Sequence, residues 1–378
     1  MTDLTDRIEG LVAAAIENGT EQGVQVAVYR HGELVLDIAA GLADAASRRP
    51  MTRDTLVYSA STGKAVASTV AHVLVERGAF GYDSRLVEVW PEFGAHGKES
   101  TTLRHLLTHS TGVPALPRDV SVEQLCDWEW MTAMLADAEP LWAPGERVGY
   151  HAGTFGHLLG EFVRRATGKT ISQVLAEEIG APLGIEDELR FGVPAAELQR
   201  VAVLENDPQG HAIFASLPDE FPLFAAAPRQ VVPDADFGNR ADVLTADLPY
   251  QGTLSARAIA RMYAALLDDV DGVRLVAPAR LAEMSTLATA GFIDEMTGGP
   301  SVWSLGYCVG WPGTSAAEDF PTMFGMVGIG GSGAHADRAT GVSVAVTKNR
   351  FNPVDMSILQ GVSELVTAEF AADRVVSS

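Results

Sequence analysis

Segments with the pattern of β-strands lie near both ends of this chain, and a long block of helices and loops separates them. Residues 23–41 (GVQVAVYRHGELVLDIAAG) alternate and turn at His31-Gly32, the pattern of a β-hairpin. Three strand-like runs follow near the C-terminus, at residues 303–311, 326–337 and 341–350. This distribution predicts one antiparallel sheet assembled from both ends of the chain, with helices packed on it.

The middle of the chain predicts an inserted helical domain. Apolar residues there recur at helical spacing between polar loops, as in TFGHLLGEFVRRATG (residues 154–168). We therefore predict an α+β fold, an α/β sandwich in which residues 1–82 and 254–378 form a discontinuous sheet domain. Residues 83–253 would form an all-α insertion, with the active site in the cleft between the two. The Pro- and Asp-rich stretch at residues 203–248 predicts a long surface excursion.

Charge and composition exclude several classes of function. The 378 residues carry a formal net charge of −22, which would repel nucleic acids and anionic membranes. No apolar run reaches the roughly 18 residues that a membrane span needs. The N-terminus, MTDLTDRIEGLVAAAIENG, predicts an amphipathic helix and lacks the basic start of a signal peptide. We expect a cytoplasmic protein, and the spacing of Cys126 and Cys308 predicts neither a disulfide framework nor a metal site.

A serine and a lysine lie three residues apart at the predicted start of a helix. Ser61-Thr-Gly-Lys64 precedes a periodic apolar run, so both side chains share one helical face. Free N–H groups at a helix N-terminus can stabilise an oxyanion at Ser61. The helix dipole and burial would both lower the pKa of Lys64, letting it take a proton from the serine. The alternative is an N-capping serine beside a solvated lysine.

Tyr150 is the candidate for passing a proton to the leaving group. It lies between the Pro144-Gly145 turn and a strongly amphipathic helix, so its side chain can point into a cleft. A nearby cation would lower the pKa of its phenol, which could then serve as base and as acid. The alternative is a half-buried tyrosine that anchors the loop.

These motifs and their order resemble the serine β-lactamase and penicillin-binding-protein superfamily. Ser61-x-x-Lys64 is followed by LLTHSTG (106–112), PGERVGYHAGTFGHLLG (144–160) and FGMVGIGGSGAHAD (324–337), so the resemblance covers roughly residues 10–370. The most similar branch is the class C β-lactamase-like group, with family VIII carboxylesterases and related acyltransferases. The resemblance implies a β-lactamase/transpeptidase-like fold and an acyl-enzyme on Ser61, assisted by Lys64 and Tyr150. It implies an oxyanion hole formed by the backbone N–H groups of Ser61 and Ile329.

The chain departs from the pattern of this family at two side chains and at its N-terminus. Met326 stands where relatives usually carry Lys, His or Trp, and Ala152 replaces the asparagine of Tyr-x-Asn. Loss of a cation at 326 removes an attraction for a substrate carboxylate, and an export signal is missing. The expected substrate is a neutral acyl ester or thioester that contacts Met326 and Gly328. His151 would add a hydrogen bond to the substrate, with a structural histidine as the stronger alternative.

Other patterns in the sequence give weaker indications of function. His105 and His109 have a zinc-compatible spacing but lack a third ligand, so we expect no metal and no cofactor. Trp128, Trp130 and Trp142 could line an acyl pocket or pack in the core.

The glycine-rich stretch at residues 326–337 contains G-x-G-x-x-G. It precedes a hairpin rather than a helix, so its glycines indicate close backbone approach rather than a dinucleotide site.

The sequence thus predicts a serine hydrolase of the carboxylesterase type. The alternative is an acyltransferase that passes the acyl group to an amine or alcohol, for example in tailoring a natural product. Both reactions share Ser61, Lys64 and Tyr150 and differ in how well the cleft excludes water. β-Lactamase or peptidase activity and a catalytically inactive binding protein are the less favoured readings.

Overall fold

The computed structural model describes residues 3–371, and a seven-stranded antiparallel sheet forms its largest layer. Its strand order is β3-β2-β1-β11-β10-β9-β8, so the prediction of one sheet built from both chain ends is confirmed. The strands are β1 (Gly23–Arg30), β2 (Glu33–Asp44), β3 (Arg49–Pro50), β4 (Val57–Tyr58), β5 (Leu189–Arg190), β6 (Glu205–Asn206), β7 (Thr253–Leu254), β8 (Cys308–Val309), β9 (Met323–Val327), β10 (Gly333–Asp337), β11 (Val342–Lys348) and β12 (Arg350–Phe351).

Fifteen α-helices lie among the described residues, most of them between β4 and β8. They are α1 (Leu4–Glu17), α2 (Thr62–Glu76), α3 (Leu103–Leu107), α4 (Val122–Cys126), α5 (Trp128–Asp137), α6 (Phe155–Thr167), α7 (Ile171–Leu175), α8 (Ala181–Leu183), α9 (Pro208–Ala215), α10 (Leu223–Ala226), α11 (Ala235–Gly238), α12 (Ala241–Thr245), α13 (Ala256–Leu267), α14 (Pro278–Ser285) and α15 (Ser357–Glu369). Within residues 3–371, no helix combines the length and the apolar character needed to cross a membrane.

The first hairpin forms where the sequence predicts it. β1 pairs antiparallel with β2, and the chain reverses at His31 and Gly32, both of which have positive φ. Positive φ at both central residues matches the right-handed twist of the flanking strands. β1 also pairs with β11, with Val24 opposite Lys348, and this pairing joins the two ends of the chain.

Strand β1 is covered on both faces, which explains its almost continuous apolar sequence. Val24, Val26 and Val28 pack with α1 and α15. Ala27 and Tyr29 alternate with them and belong to the core on the other face, where α13 lies. Because side chains alternate along a strand, each face contributes to a separate apolar layer. The sheet is therefore the middle layer between α1/α15 and the rest of the molecule.

Helix α2 is buried along almost its whole length. Every residue from Thr62 to Val75 is buried, and the helix packs against α6, α7 and α14 and against strand β9. A helix without a polar face must be enclosed by other elements. Gly78 follows its last turn with φ +75°, the left-handed conformation in which many helices end. The start of α2 is thereby held rigidly between the sheet and the helical part of the chain.

The stretch at residues 203–248 is not the surface excursion that its composition suggests. It folds into helices α9 to α12, and Leu204, Val231 and Phe237 are buried. Two of its aspartates cap helices: Asp207 accepts from the N–H of Gly210 and Asp234 from the N–H of Phe237. Asp and Pro favour the first positions of helices as well as loops, and that ambiguity explains the error. The domain boundaries near residues 82 and 253 stay a prediction.

Candidate active site

A sharp turn between β4 and α2 presents Ser61. Ala60, directly before it, has φ +46°, a conformation that costs energy in a residue other than glycine. Ser61 begins α2, yet its side chain makes no capping hydrogen bond. Ser61 instead lines a cavity of about 380 Å³. The structure therefore does not support the alternative of an N-capping serine.

Gly63 explains how α2 can begin so close to the chain segment that follows Tyr250. A Cβ atom on Gly63 would lie 2.3 Å from the carbonyl carbon of Gln251. The N–H of Gly252 donates to the carbonyl of Ala60 at 2.9 Å, which fixes this contact. The glycine of Ser-Thr-Gly-Lys thus brings Tyr250 to the catalytic face of the helix.

Lys64 is buried, with 1% of its surface exposed. Its Nζ lies 3.1 Å from Ser61 Oγ, 4.9 Å from the centre of the Tyr150 ring and 5.1 Å from that of Tyr250. Among the residues that the structure describes, no carboxylate forms an ion pair with this amine. Burial lowers the pKa of Lys64 from 10.5 to about 7, so a large neutral fraction exists near neutral pH. The alternative of a solvated lysine does not fit this geometry.

Tyr150 also contacts the Ser61 hydroxyl. Its hydroxyl donates to Ser61 Oγ at 2.8 Å. It follows the turn at Gly145, which has φ +86°, and precedes α6. Burial raises the pKa of Tyr150, and the hydrogen bond with Ser61 opposes this rise only in part. The expectation of a lowered phenol pKa is therefore wrong: burial outweighs the hydrogen bond with Ser61, and Tyr150 is protonated at neutral pH.

Two backbone N–H groups at the cavity are available for an oxyanion. Within residues 3–371, the N–H groups of Ser61 and Ile329 make no hydrogen bond to another protein group. Both residues line the cavity. Ile329 lies in a turn after β9 in which the N–H of Gly328 donates to the carbonyl of Ser332 at 2.8 Å. A Cβ atom on Gly328 would lie 2.2 Å from the carbonyl oxygen of Ser59, so this turn lies close to the chain segment that leads to Ser61.

The cavity has a volume of about 380 Å³ and is mainly apolar. No lysine or arginine lines it in the described part of the chain, and Asp294 is its one acidic lining residue. Met326 lines it and is buried, with its sulfur 3.8 Å from the thiol of Cys308. Ala152 also lines it, so both departures from the family pattern are at the cavity wall. The apolar lining includes Leu116, Leu125, Leu223, Val231, Trp311 and Met356.

The expectation that His151 reaches the substrate needs correction. Its ring is fully buried and lies outside the cavity lining. Its Nε2 lies 2.6 Å from the hydroxyl of Thr111 and its Nδ1 2.6 Å from the carbonyl oxygen of Gly149. Because both nitrogens are used within the protein, His151 fits its alternative as a structural histidine.

His105 and His109 also have structural partners. His105 completes the capping box of α3, and His109 packs under Tyr150, with ring centres 5.3 Å apart. No cluster of three potential metal ligands occurs among the described residues.

The sequence did not identify the tryptophans that line the cavity. Trp303 and Trp311 line it, whereas the three candidate tryptophans lie elsewhere. Trp142 packs with Ala226 and Met296, and Trp128 donates to Glu161. Trp303 follows a long irregular segment, and nothing in its local pattern distinguishes a cavity residue from a core residue.

Comparison with known proteins agrees with this geometry. The Beta-lactamase family model matches residues 8–366. The chain belongs to the beta-lactamase family. It is 32% identical over 341 residues to the esterase/beta-lactamase LipL of Mycobacterium tuberculosis, an alignment covering 87% of this chain and 77% of that protein. It is 29% identical to the esterase EstB of Burkholderia gladioli, covering 92% of this chain and 90% of EstB.

Solved structures of the same family share the whole fold. The crystal structure of a family VIII carboxylesterase superposes with a TM-score of 0.85 at 31% identity, covering 97% of this chain and 98% of that one. A penicillin-binding protein homologue from Caulobacter crescentus gives 0.81 at 30% identity, covering 97% and 98%. The predicted fold class and family are therefore both confirmed.

Proposed function

We propose that this protein is a carboxylesterase that hydrolyses neutral, apolar esters through an acyl-enzyme on Ser61. One observation carries the proposal: the Lys64 amine and the Tyr150 hydroxyl both contact Ser61 Oγ at the wall of an apolar cavity. Its esterase relatives support the reaction class.

Acylation uses the neutral amine. Lys64 Nζ takes the hydroxyl proton of Ser61 while Oγ forms a bond to the ester carbonyl carbon. The carbonyl oxygen becomes an oxyanion, which the N–H groups of Ser61 and Ile329 stabilise. The bond between the carbonyl carbon and the alcohol oxygen then breaks. Tyr150 gives its proton to the leaving oxygen and regains one from the Lys64 ammonium, which restores both groups.

Deacylation runs the acylation steps in reverse, with water attacking the acyl carbon in place of the alcohol. The phenol and the amine are coupled through Ser61 Oγ, so together they accept the proton of the attacking water. The bond between the acyl carbon and Oγ breaks, and the proton returns to Ser61. The acid product leaves, and the resting enzyme is restored.

The lining of the cavity supports a neutral, apolar ester as substrate. Because no lysine or arginine of the described residues lines it, the cavity offers no ion pair to a substrate carboxylate, such as that of a penicillin or a peptide C-terminus. Leu116, Leu125 and Leu223 favour an apolar group. We also propose a cytoplasmic enzyme, in keeping with its two free thiols, Cys126 and Cys308.

A matched pair of probes tests this proposal. p-Nitrophenyl butyrate and p-nitrophenyl hemisuccinate have the same chain length, and only the second carries a carboxylate. We expect kcat/KM to be at least about 10-fold higher for the butyrate, because the cavity must desolvate the carboxylate without a partner. Equal values, or faster hydrolysis of a chromogenic cephalosporin than of the butyrate, would contradict the proposed substrate class.

Acyl transfer is the second candidate, and the apolar lining is the observation that favours it. An apolar cavity of this size can bind an alcohol or amine acceptor and hold less water beside the acyl-enzyme. Adding butanol or benzylamine to p-nitrophenyl butyrate and quantifying the products separates the reactions. Butyric acid as the main product indicates an esterase, whereas butyl butyrate or the amide in excess indicates a transferase.

A further inference from the structure

The carboxylate of Asp294 connects two parts of the chain behind the catalytic tyrosine. Asp294 is buried, with 3% of its surface exposed. Its Oδ1 accepts from the backbone N–H of Tyr150 at 3.0 Å, and the N–H groups of Met296 and Thr297 also donate to it. Its Oδ2 accepts from the indole N–H of Trp303 at 3.2 Å. Four donors on one buried carboxylate make a firmly held junction.

The indole that Asp294 orients is stacked on the catalytic phenol. The rings of Trp303 and Tyr150 have centres 5.4 Å apart and planes 13° apart. His109 packs against both, 4.1 Å from Trp303 and 5.3 Å from Tyr150. The phenol therefore has one face covered by Trp303 and an edge-to-face contact with His109, which restrict its rotation.

We propose that Asp294 is a positioning residue for Tyr150, and that it acts through the backbone of Tyr150 and through Trp303. The inference rests on the proposed role of Tyr150 as the proton donor. A single carboxylate fixes the backbone that carries the phenol and the indole that covers its face. Since proton transfer to the leaving oxygen needs hydrogen-bond distance, a small tilt of the phenol slows acylation. The negative charge of Asp294 also helps to keep Tyr150 protonated.

A double-mutant cycle on p-nitrophenyl butyrate tests this inference. Asp294→Asn keeps an acceptor for the backbone N–H groups but turns an amide N–H₂ toward the indole N–H, so it breaks that contact and also removes the negative charge beside Tyr150. We expect kcat to fall about 10-fold or more with KM within about twofold. In a Tyr150→Phe background the same change should cost less than about twofold, because the phenol it positions is absent.

Two further variants serve as an alternative to Asp294→Asn and as its control. Trp303→Phe removes the same hydrogen bond from its other end and keeps a stacking ring, so it gives a second cycle if Asp294→Asn does not fold. Asp337→Asn is the matched control. Asp337 is a buried carboxylate that accepts from Thr322 and Thr340, lies outside the cavity lining, and should leave kcat within about twofold.

The outcomes separate this inference from the proposed function. Tyr150→Phe with wild-type kcat would overturn the proposed role of Tyr150 as proton donor and, with it, the positioning role of Asp294. A slow Tyr150→Phe variant, together with an Asp294→Asn effect that is equal in both backgrounds or absent, would overturn only the positioning role. Loss of activity by Asp294→Asn and Trp303→Phe in wild type but not in Tyr150→Phe supports it.

Discussion

The Lys64 amine lies 3.1 Å from the Ser61 hydroxyl oxygen, and the lysine is buried, with 1% of its surface exposed. Burial that lowers the pKa of Lys64 to about 7 also keeps the Tyr150 phenol protonated. The same desolvation thus prepares a base and an acid at one oxygen atom. We therefore propose Lys64 as the base in acylation and Tyr150 as the proton donor.

The rate of acylation should depend on pH through Lys64. Only the neutral amine accepts the serine proton, so kcat/KM for p-nitrophenyl butyrate should rise with pH and reach half its maximum near pH 7. Lys64→Arg, which stays protonated, should lose at least about 100-fold in kcat/KM. A pH-independent kcat/KM between about pH 5 and pH 9 would contradict Lys64 as the base.

Lys64 should reduce the stability of the fold while it supports catalysis. Its folded-state pKa of about 7 lies below the ordinary 10.5, so between these values the unfolded chain binds more protons and stability rises with pH. Lys64→Met removes this cost and should raise the free energy of unfolding near pH 7 by on the order of 1–3 kcal/mol. Urea unfolding of the wild type and of Lys64→Met measures this difference in the free energy of unfolding.

The gain from Lys64→Met should shrink as pH rises from 7 toward 10.5, because wild-type Lys64 is neutral in both states above that range. Lys169→Met provides the control, since Lys169 is half-exposed and pairs with Glu177 at the surface. It should change stability by less than about 1 kcal/mol. A Lys64→Met protein that is less stable than wild type at neutral pH would show that the buried amine is not destabilising.

Gly328 should be essential for the oxyanion site. A Cβ atom there would lie 2.2 Å from the Ser59 carbonyl oxygen, so Gly328→Ala must move the Ile329 N–H away from Ser61. We expect kcat for p-nitrophenyl butyrate to fall about 100-fold or more. Gly10→Ala is the control, because nothing lies within 4 Å of its added Cβ in α1. It should preserve kcat and stabilise the fold by about 0.5–1 kcal/mol. Similar kinetics for both variants would exclude a role for this close approach.

A cation at position 326 should change substrate preference. Met326→Lys places an ammonium at the cavity wall, where it can pair with a substrate carboxylate. The ratio of kcat/KM for p-nitrophenyl hemisuccinate to that for the butyrate should rise about 10-fold or more. Met326→Leu matches the size without the charge and should leave the ratio within about twofold. An equal ratio in Met326→Lys and Met326→Leu would show that charge at 326 does not select the substrate.

Local sequence patterns predicted the features that depend on near neighbours. The i, i+3 spacing of Ser61 and Lys64 places them on one face of α2, and the turn at His31-Gly32 sets the first hairpin. The distribution of strand patterns predicted the sheet that joins the two chain ends. The position of Tyr150 between a turn and a helix identified it as a candidate site residue.

Features that depend on distant contacts could not be predicted. Tyr150 is held by Asp294 and Trp303, which are more than one hundred residues away in sequence and lie in an irregular segment. The pKa of Tyr150 depends on how completely the fold removes water from it, which composition does not reveal. The Asp- and Pro-rich stretch was misjudged because capping and solvated aspartates look alike in a single sequence.

The central claim is that a covalent acyl group forms on Ser61, and intact-mass spectrometry tests it most directly. The protein is mixed with p-nitrophenyl butyrate, quenched in acid within the first turnover, and digested to locate the adduct. We predict a butyryl adduct on the peptide that contains Ser61, and none in Ser61→Ala. Turnover of the ester by Ser61→Ala at the wild-type rate, or an adduct on any other residue, would contradict the account.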